Sequence, residues 1–166
     1  MENILAELSL SIVSGRELLL RVGLAMLFSA VIGLDRDRKR KPMDFRAFMI
    51  IAASSCVLAI MGQELYADYA HVGEPVLVDL SKIISGVMTG IGFLGAGAIL
   101  KRGDNVVGTA TGASIWASGA IGLSLGFGFY LLAVMAFIAV SLTLIIGGFS
   151  MQHVRGESDE ERGKTS

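Results

Sequence analysis

Three glycines, Gly90, Gly92 and Gly95, spell G-x-G-x-x-G inside GIGFLGAGAIL. That is the spacing of a loop whose backbone N–H groups cradle a dinucleotide pyrophosphate. Such a site needs a preceding strand, a helix opening at the motif and an acidic residue about 20 positions on. Residues 110–118 read ATGASIWAS, with no acid, and the glycines sit in the middle of an apolar tract. The surroundings argue against a nucleotide, so the glycines need another reason.

The second group with chemical potential is GLDRDRKRKPMDFR, Gly33 to Arg46. Its lysines and arginines read as a topogenic loop that also meets anionic lipid. Asp35 fits that role less well. A carboxylate at the C-terminal end of a helix opposes the helix dipole, and a negative membrane surface offers it nothing. It is expected to pair with Arg36, Arg38 or Arg46, or with Lys101 and Arg102 across the bundle, as a structural lock or as a functional site.

No catalytic set emerges. His71 and His153 lack a metal-ligand partner at suitable spacing, and Ser54, Ser55, Ser114 and Ser118 have no accompanying base. Cys56 lies alone in an apolar run, which excludes a disulfide framework. Glu64, Asp68, Glu74 and Asp79 read as a solvated face, with Asp79 also suited to N-cap the helix that follows. No enzyme activity, metal or cofactor is expected.

Composition defines the elements that must hold these residues. Of 166 residues, 53% are hydrophobic and 17% charged, where a soluble domain carries about 25% charge. The charges crowd into residues 35–46, 64–82, 101–104 and 153–164. The pattern is that of an all-α integral membrane protein. With a net charge of −1 and no basic stripe interleaved with aromatics, nucleic acid is not an expected partner.

Five tracts suit a bilayer core of about 30 Å: residues 18–34, 47–65, 81–100, 108–126 and 127–149. They predict a membrane domain over residues 17–150, a short surface helix over 1–16, and a disordered tail over 151–166. Glu2 and Glu7, without a basic segment ahead of them, do not read as a cleavable leader. Arg21, about one turn inside the first tract, is expected to snorkel outward. Eleven Lys and Arg residues fall on the side of the first loop, third loop and tail, against three on the other. That asymmetry predicts the N-terminus outside and the C-terminus in the cytoplasm.

At about 100° per residue, Ser85, Thr89, Gly92 and Ala96 form one stripe of the third tract, and Gly86, Gly90 and Gly97 a second. Gly95 belongs to the same small-residue set. Val87, Ile91, Leu94 and Ala98 lie opposite and read as lipid-facing. The fourth tract repeats the theme with Gly108, Gly112, Ser114 and Ser118. Small stripes let helix backbones approach closely, so the third and fourth tracts are expected to pack as an antiparallel pair.

GLDRDRKRKP followed by ISGVMTGIGFLGAGAILKRGDNVVGTATGASIWASGAIGLSLG resembles the MgtC/SapB family of bacterial inner-membrane proteins, over about residues 18–149. By position, Asp35 matches the family's acidic residue after the first span, and Gly92, Gly95, Gly97, Thr111 and Trp116 match its helix motifs. Two departures stand out. MDFRAF replaces a Gly-Leu-Arg-Thr-His-like segment and keeps only Arg46, and longer members carry a soluble C-terminal domain. The resemblance implies a multi-pass protein tied to magnesium limitation, acid stress or virulence. It also implies regulation of other membrane machinery, the ATP synthase and magnesium uptake among it, through helix contact with a partner complex or by self-association. The alternative is a small cation or solute transporter or channel lined by Ser85, Thr89, Ser114 and Ser118, with Asp35 at the inner mouth. Span centres free of charge favour the regulator.

Overall fold

A computed structural model describes residues 12–38, 43–70, 79–103 and 105–163. The helices are α1 (Gly15–Arg38), α2 (Phe45–Ala70), α3 (Leu80–Gly97), α4 (Thr109–Gly126) and α5 (Tyr130–Gly163). Between α3 and α4 lies a hairpin of β1 (Leu100–Arg102) and β2 (Asn105–Val107). Helix starts follow local chemistry. Asp44 accepts from Arg46 N at 2.9 Å ahead of α2, and Asp79 accepts from Ser81 N at 3.0 Å ahead of α3. Each supplies an acceptor to a helix-end N–H that has no intrahelical partner. The Ser81 hydrogen bonds hold the Asp79 carboxyl below its usual range.

α1, α2, α3 and the Tyr130–Gly148 part of α5 are long and apolar enough to cross a membrane. α4 differs because it is the hub. It touches every other helix, and eleven of its eighteen residues are buried. A helix wrapped by protein need not be apolar, which accounts for its Gly, Ala, Ser and Thr content. A Cβ on Gly122 would stand 2.3 Å from the Ala52 carbonyl oxygen, and one on Gly112 2.6 Å from that of Gly95. The backbones of α2 and α3 therefore lie directly on α4.

Contacts fix the directions. Gly122 meets Ala52 and Gly126 meets Cys56, so α2 and α4 run parallel, whereas Gly112 meets Gly95 and Gly119 meets Ile91, so α3 and α4 run antiparallel. α1 returns into α2 where Gly33 meets Phe45, making α1 antiparallel to both α2 and α4. Arg21 pairs with Tyr130 and Phe28 stacks on Phe137 at 4.6 Å, which aligns α1 parallel to α5. Ile32, Phe48, Ile115, Ile121 and Leu125 fill the centre.

Several expectations are corrected. Gly86, Gly90 and Gly97 are exposed, Gly92 is half-buried, and a Cβ at any of them would meet nothing within 4 Å. Among the described residues nothing lies against them, whereas Gly95 meets α4. Val87, Ile91 and Ala98, read as lipid-facing, turn inward instead. The reason is knob-and-notch packing: Ile91 fills the space that a Cβ on Gly119 would occupy. Gly112, Ser114 and Ser118 of α4 lie in the interior, with Gly108 half-buried. The third tract ends at Gly97, because the chain turns at Ala98 into the hairpin, whose register pairs Leu100 with Val107. Gly108 takes a φ of 92° ahead of α4, and there a Cβ would strike the Ala98 carbonyl. α5 runs on to Gly163, into the stretch expected as a tail over residues 151–166, and includes helix formers such as Gln152, Glu157, Glu160 and Arg162. The surface helix expected over 1–16 falls mostly outside the described residues; Ile12 to Ser14 are not helical, and Gly15 already begins α1.

Candidate functional site

The densest polar site lies at one end of the bundle, around Arg21. This arginine is 8% exposed, so it turns inward rather than snorkelling. Its Nη1 donates to the Gly126 carbonyl at 2.7 Å and to Gln63 Oε1 at 3.3 Å. Its Nε donates to Glu17 Oε1 at 3.1 Å and to the Tyr130 hydroxyl at 3.3 Å, and Nη2 pairs with Glu17 as well. The guanidinium also sits 5.9 Å from the Tyr130 ring centre. One planar fork thus ties α1 to α2 and to the α4–α5 turn, a task suited to arginine's fixed donor geometry.

Glu64, expected on a solvated face, is 7% exposed. Its carboxylate accepts from Ile12 N at 3.1 Å and from Val13 N at 2.9 Å. That fixes the segment entering α1 and buries Val13 beneath it. Buried carboxylates and guanidinium groups need such partners. The arrangement anchors: the Arg21 donors described here are all spent on the chain's own acceptors.

At the other end, the last turn of α1 holds Asp35 and Arg36. Arg36 Nε donates to Asp35 Oδ2 at 3.0 Å, and Nη2 pairs with the same oxygen. The Arg36 side chain is 5% exposed and that of Asp35 28%. Charge pairing relieves the clash between a carboxylate and the helix C-terminus. Arg38 is exposed, Arg46 pairs with Asp44 on the surface, and Lys101 is exposed on β1. Arg102 follows Lys101 on the same strand, where only its backbone is described. The structure thus joins Asp35 to Arg36 and spreads Arg38, Arg46 and Lys101 over the surrounding surface.

The expected pathway lining divides between two faces. Ser114 and Ser118 are buried on α4, while Ser85 and Thr89 are exposed on α3. Among the described residues, no group of three His, Cys, Asp or Glu side chains is placed to hold a metal ion. Trp116 is half exposed on the rim of α4.

A sequence model described as the MgtC family matches residues 22–151. A Haemophilus influenzae protein named only as uncharacterized is 39% identical over 142 residues, 85% of this chain and 60% of its own length. Protein SapB of Bacillus subtilis is 34% identical over 78% of this chain and 56% of its own. The Escherichia coli protein named "Putative magnesium transporter YhiD" is 36% identical over 77% of this chain and 59% of its own. The chain thus spans less than two thirds of the length of these relatives. No solved structure matches. With the family's model covering well over half of it, this helical membrane protein belongs to the MgtC family.

Proposed function

We propose that the protein is a five-span inner-membrane regulator, N-terminus outside and C-terminus in the cytoplasm, acting on other membrane machinery by helix–helix contact through α3. One observation carries this reading. α3 and α5 are the least covered helices, with 11% and 6% of their apolar stretches buried, yet their mean hydropathies are 1.3 and 2.5. α5 is as apolar as a lipid-facing helix should be. α3 instead presents Ser85, Gly86, Thr89, Gly90 and Gly97 on its open side around an exposed Phe93, a mostly small and hydroxylated surface of the kind that membrane helices use against other helices. The Asp35–Arg36 pair and its basic neighbours flank the cytoplasmic end. The name of the Escherichia coli relative and the family match suggest magnesium supply as the physiological setting.

That same name favours a second reading, a magnesium transporter. One set of experiments separates the two. A strain lacking the gene is tested for growth in low magnesium with wild type, Gly86→Leu/Gly90→Leu and Asp35→Asn. The regulator reading expects both variants to insert and fold normally but fail to restore growth, and purified protein in liposomes to pass no magnesium. Robust magnesium flux into those liposomes would establish the transporter, and full rescue by the glycine variant would remove α3 as the contact face.

A further inference from the structure

We propose that the β1–β2 hairpin is a lipid-binding element that stands in the headgroup layer of the membrane. Its apolar base points to the acyl chains and its polar end meets the phosphates of anionic lipids. The inference rests on α3 crossing the bilayer and is independent of what α3 contacts there.

The hairpin is fixed at its base and open beyond it. Ala98 N and Ile99 N donate to the Gly95 and Ala96 carbonyls at 3.1 and 3.0 Å, which closes the end of α3. Gly108, at a φ of 92°, brings the chain back against the Ala98 carbonyl. Past that clamp Ile99, Leu100, Val106 and Val107 are all exposed, as are Lys101 and Asn105. Leu100 pairs with Val107 and Lys101 with Val106, so the apolar side chains lie on both faces of the ladder. A two-stranded hairpin without cover is marginal in water; this one calls for a medium that takes up apolar side chains.

Length and polarity identify the medium. α3 has 18 residues, about 27 Å at about 1.5 Å per residue, against a hydrocarbon core of about 30 Å. Its end at Gly97 therefore lies at the edge of that core, and the hairpin begins where the headgroups begin. Each step away from α3 is more polar: Leu100 with Val107, then Lys101 with Val106, then Arg102 with Asn105, ahead of Gly103 and Asp104. The strands rise about 10 Å at about 3.3 Å per residue, enough to cross a headgroup layer of about 5–8 Å. Their open edges find hydrogen-bond partners there that hydrocarbon cannot supply. Charge identifies the lipid. Lys101 and Arg102 outweigh Asp104. α4 starts seventeen residues from Gly126, as Arg38 stands seventeen from Arg21, so the hairpin shares the basic end of α1. Cations held at a membrane surface attract anionic headgroups.

Spin labelling of the full chain in vesicles tests this. Cys56 is the single cysteine, so a Cys56→Ala background takes one nitroxide through Leu100→Cys, Val106→Cys or Asn105→Cys, with circular dichroism checking that each bundle is intact. Leu142, exposed on the apolar part of α5, serves as the lipid reference, and Ser158, ten residues past the end of that part, as the water reference. Oxygen concentrates in the bilayer and a nickel chelate in water. In phosphatidylethanolamine–phosphatidylglycerol vesicles the oxygen-to-nickel collision ratio is expected to fall from Leu100 through Val106 to Asn105, with Leu100 several-fold above Ser158. Leu100 and Val106 at the Ser158 value would overturn the proposal, as would shielding of both from both reagents, the mark of cover by protein. Lys101→Gln/Arg102→Gln is expected to lower the ratio at Val106 in these vesicles and to leave it unchanged in phosphatidylcholine. The same response in both lipids would overturn the assignment to anionic headgroups.

Discussion

Arg21 gathers acceptors that sequence distance hides. Gln63 is 42 residues away and Gly126 is 105 away, so a lone arginine one turn inside an apolar tract gives no hint of either. Its position does signal an interfacial charge; the inward turn depends on a glutamine and a free turn carbonyl arriving from other helices. Glu64 was hidden for the same reason, since its partners are backbone N–H groups of Ile12 and Val13. Asp35 was more legible, because a carboxylate at a helix C-terminus demands a cation and Arg36 is adjacent. Replacing Arg21 by Ala strips the Gly126 carbonyl and Gln63 of their donor, at a cost of about 1–3 kcal/mol. Thermal unfolding in mild detergent should show Arg21→Lys recovering only part of that loss, because an ammonium cannot reproduce the fork. Full recovery by lysine would mean that charge alone holds this end together.

At the level of elements, the helices and their order could be read from composition, and their facing could not. Period and residue size identified stripes on α3 and α4 but left open which stripe meets which. On α4 the glycines receive neighbours: Gly119 takes Ile91, and Gly122 and Gly126 take the α2 backbone. On α3 most of the glycines face away. The two sets look alike in sequence because a small residue serves equally as a notch within the bundle or as a landing surface for a helix outside it. Substitution distinguishes them. Gly122→Ala drives a methyl into the Ala52 carbonyl, 2.3 Å away, and overpacking of this kind costs about 1–3 kcal/mol. Gly86→Ala meets nothing within 4 Å and gains about 1 kcal/mol of helix propensity. Thermal midpoints in detergent should therefore move in opposite directions, down for Gly122→Ala and unchanged or up for Gly86→Ala. A comparable loss at both positions would show that the α3 glycines pack within a single chain after all.

For the molecule as a whole, topology depends on α4, the helix least recognisable by hydropathy and most enclosed by protein. It runs parallel to α2 and antiparallel to α1 and α3, in contact with all three. An enclosed helix can cross without an apolar surface of its own, which is what the proposed five-span topology asks of α4 beside the four apolar helices. Under that proposal the odd number of crossings sets the two termini on opposite sides, with the basic first loop and tail expected on the cytoplasmic side. Alkaline phosphatase fused within residues 71–78 should then be active, and fused within residues 39–42 or after residue 163 inactive. A fusion in the α4–α5 turn, at Gly128, should be active as well, since Arg21 joins that turn to the N-terminal end of α1. This last fusion is the decisive one: activity after residue 163 together with silence at Gly128 would mean that α4 does not cross and that the bundle has four spans.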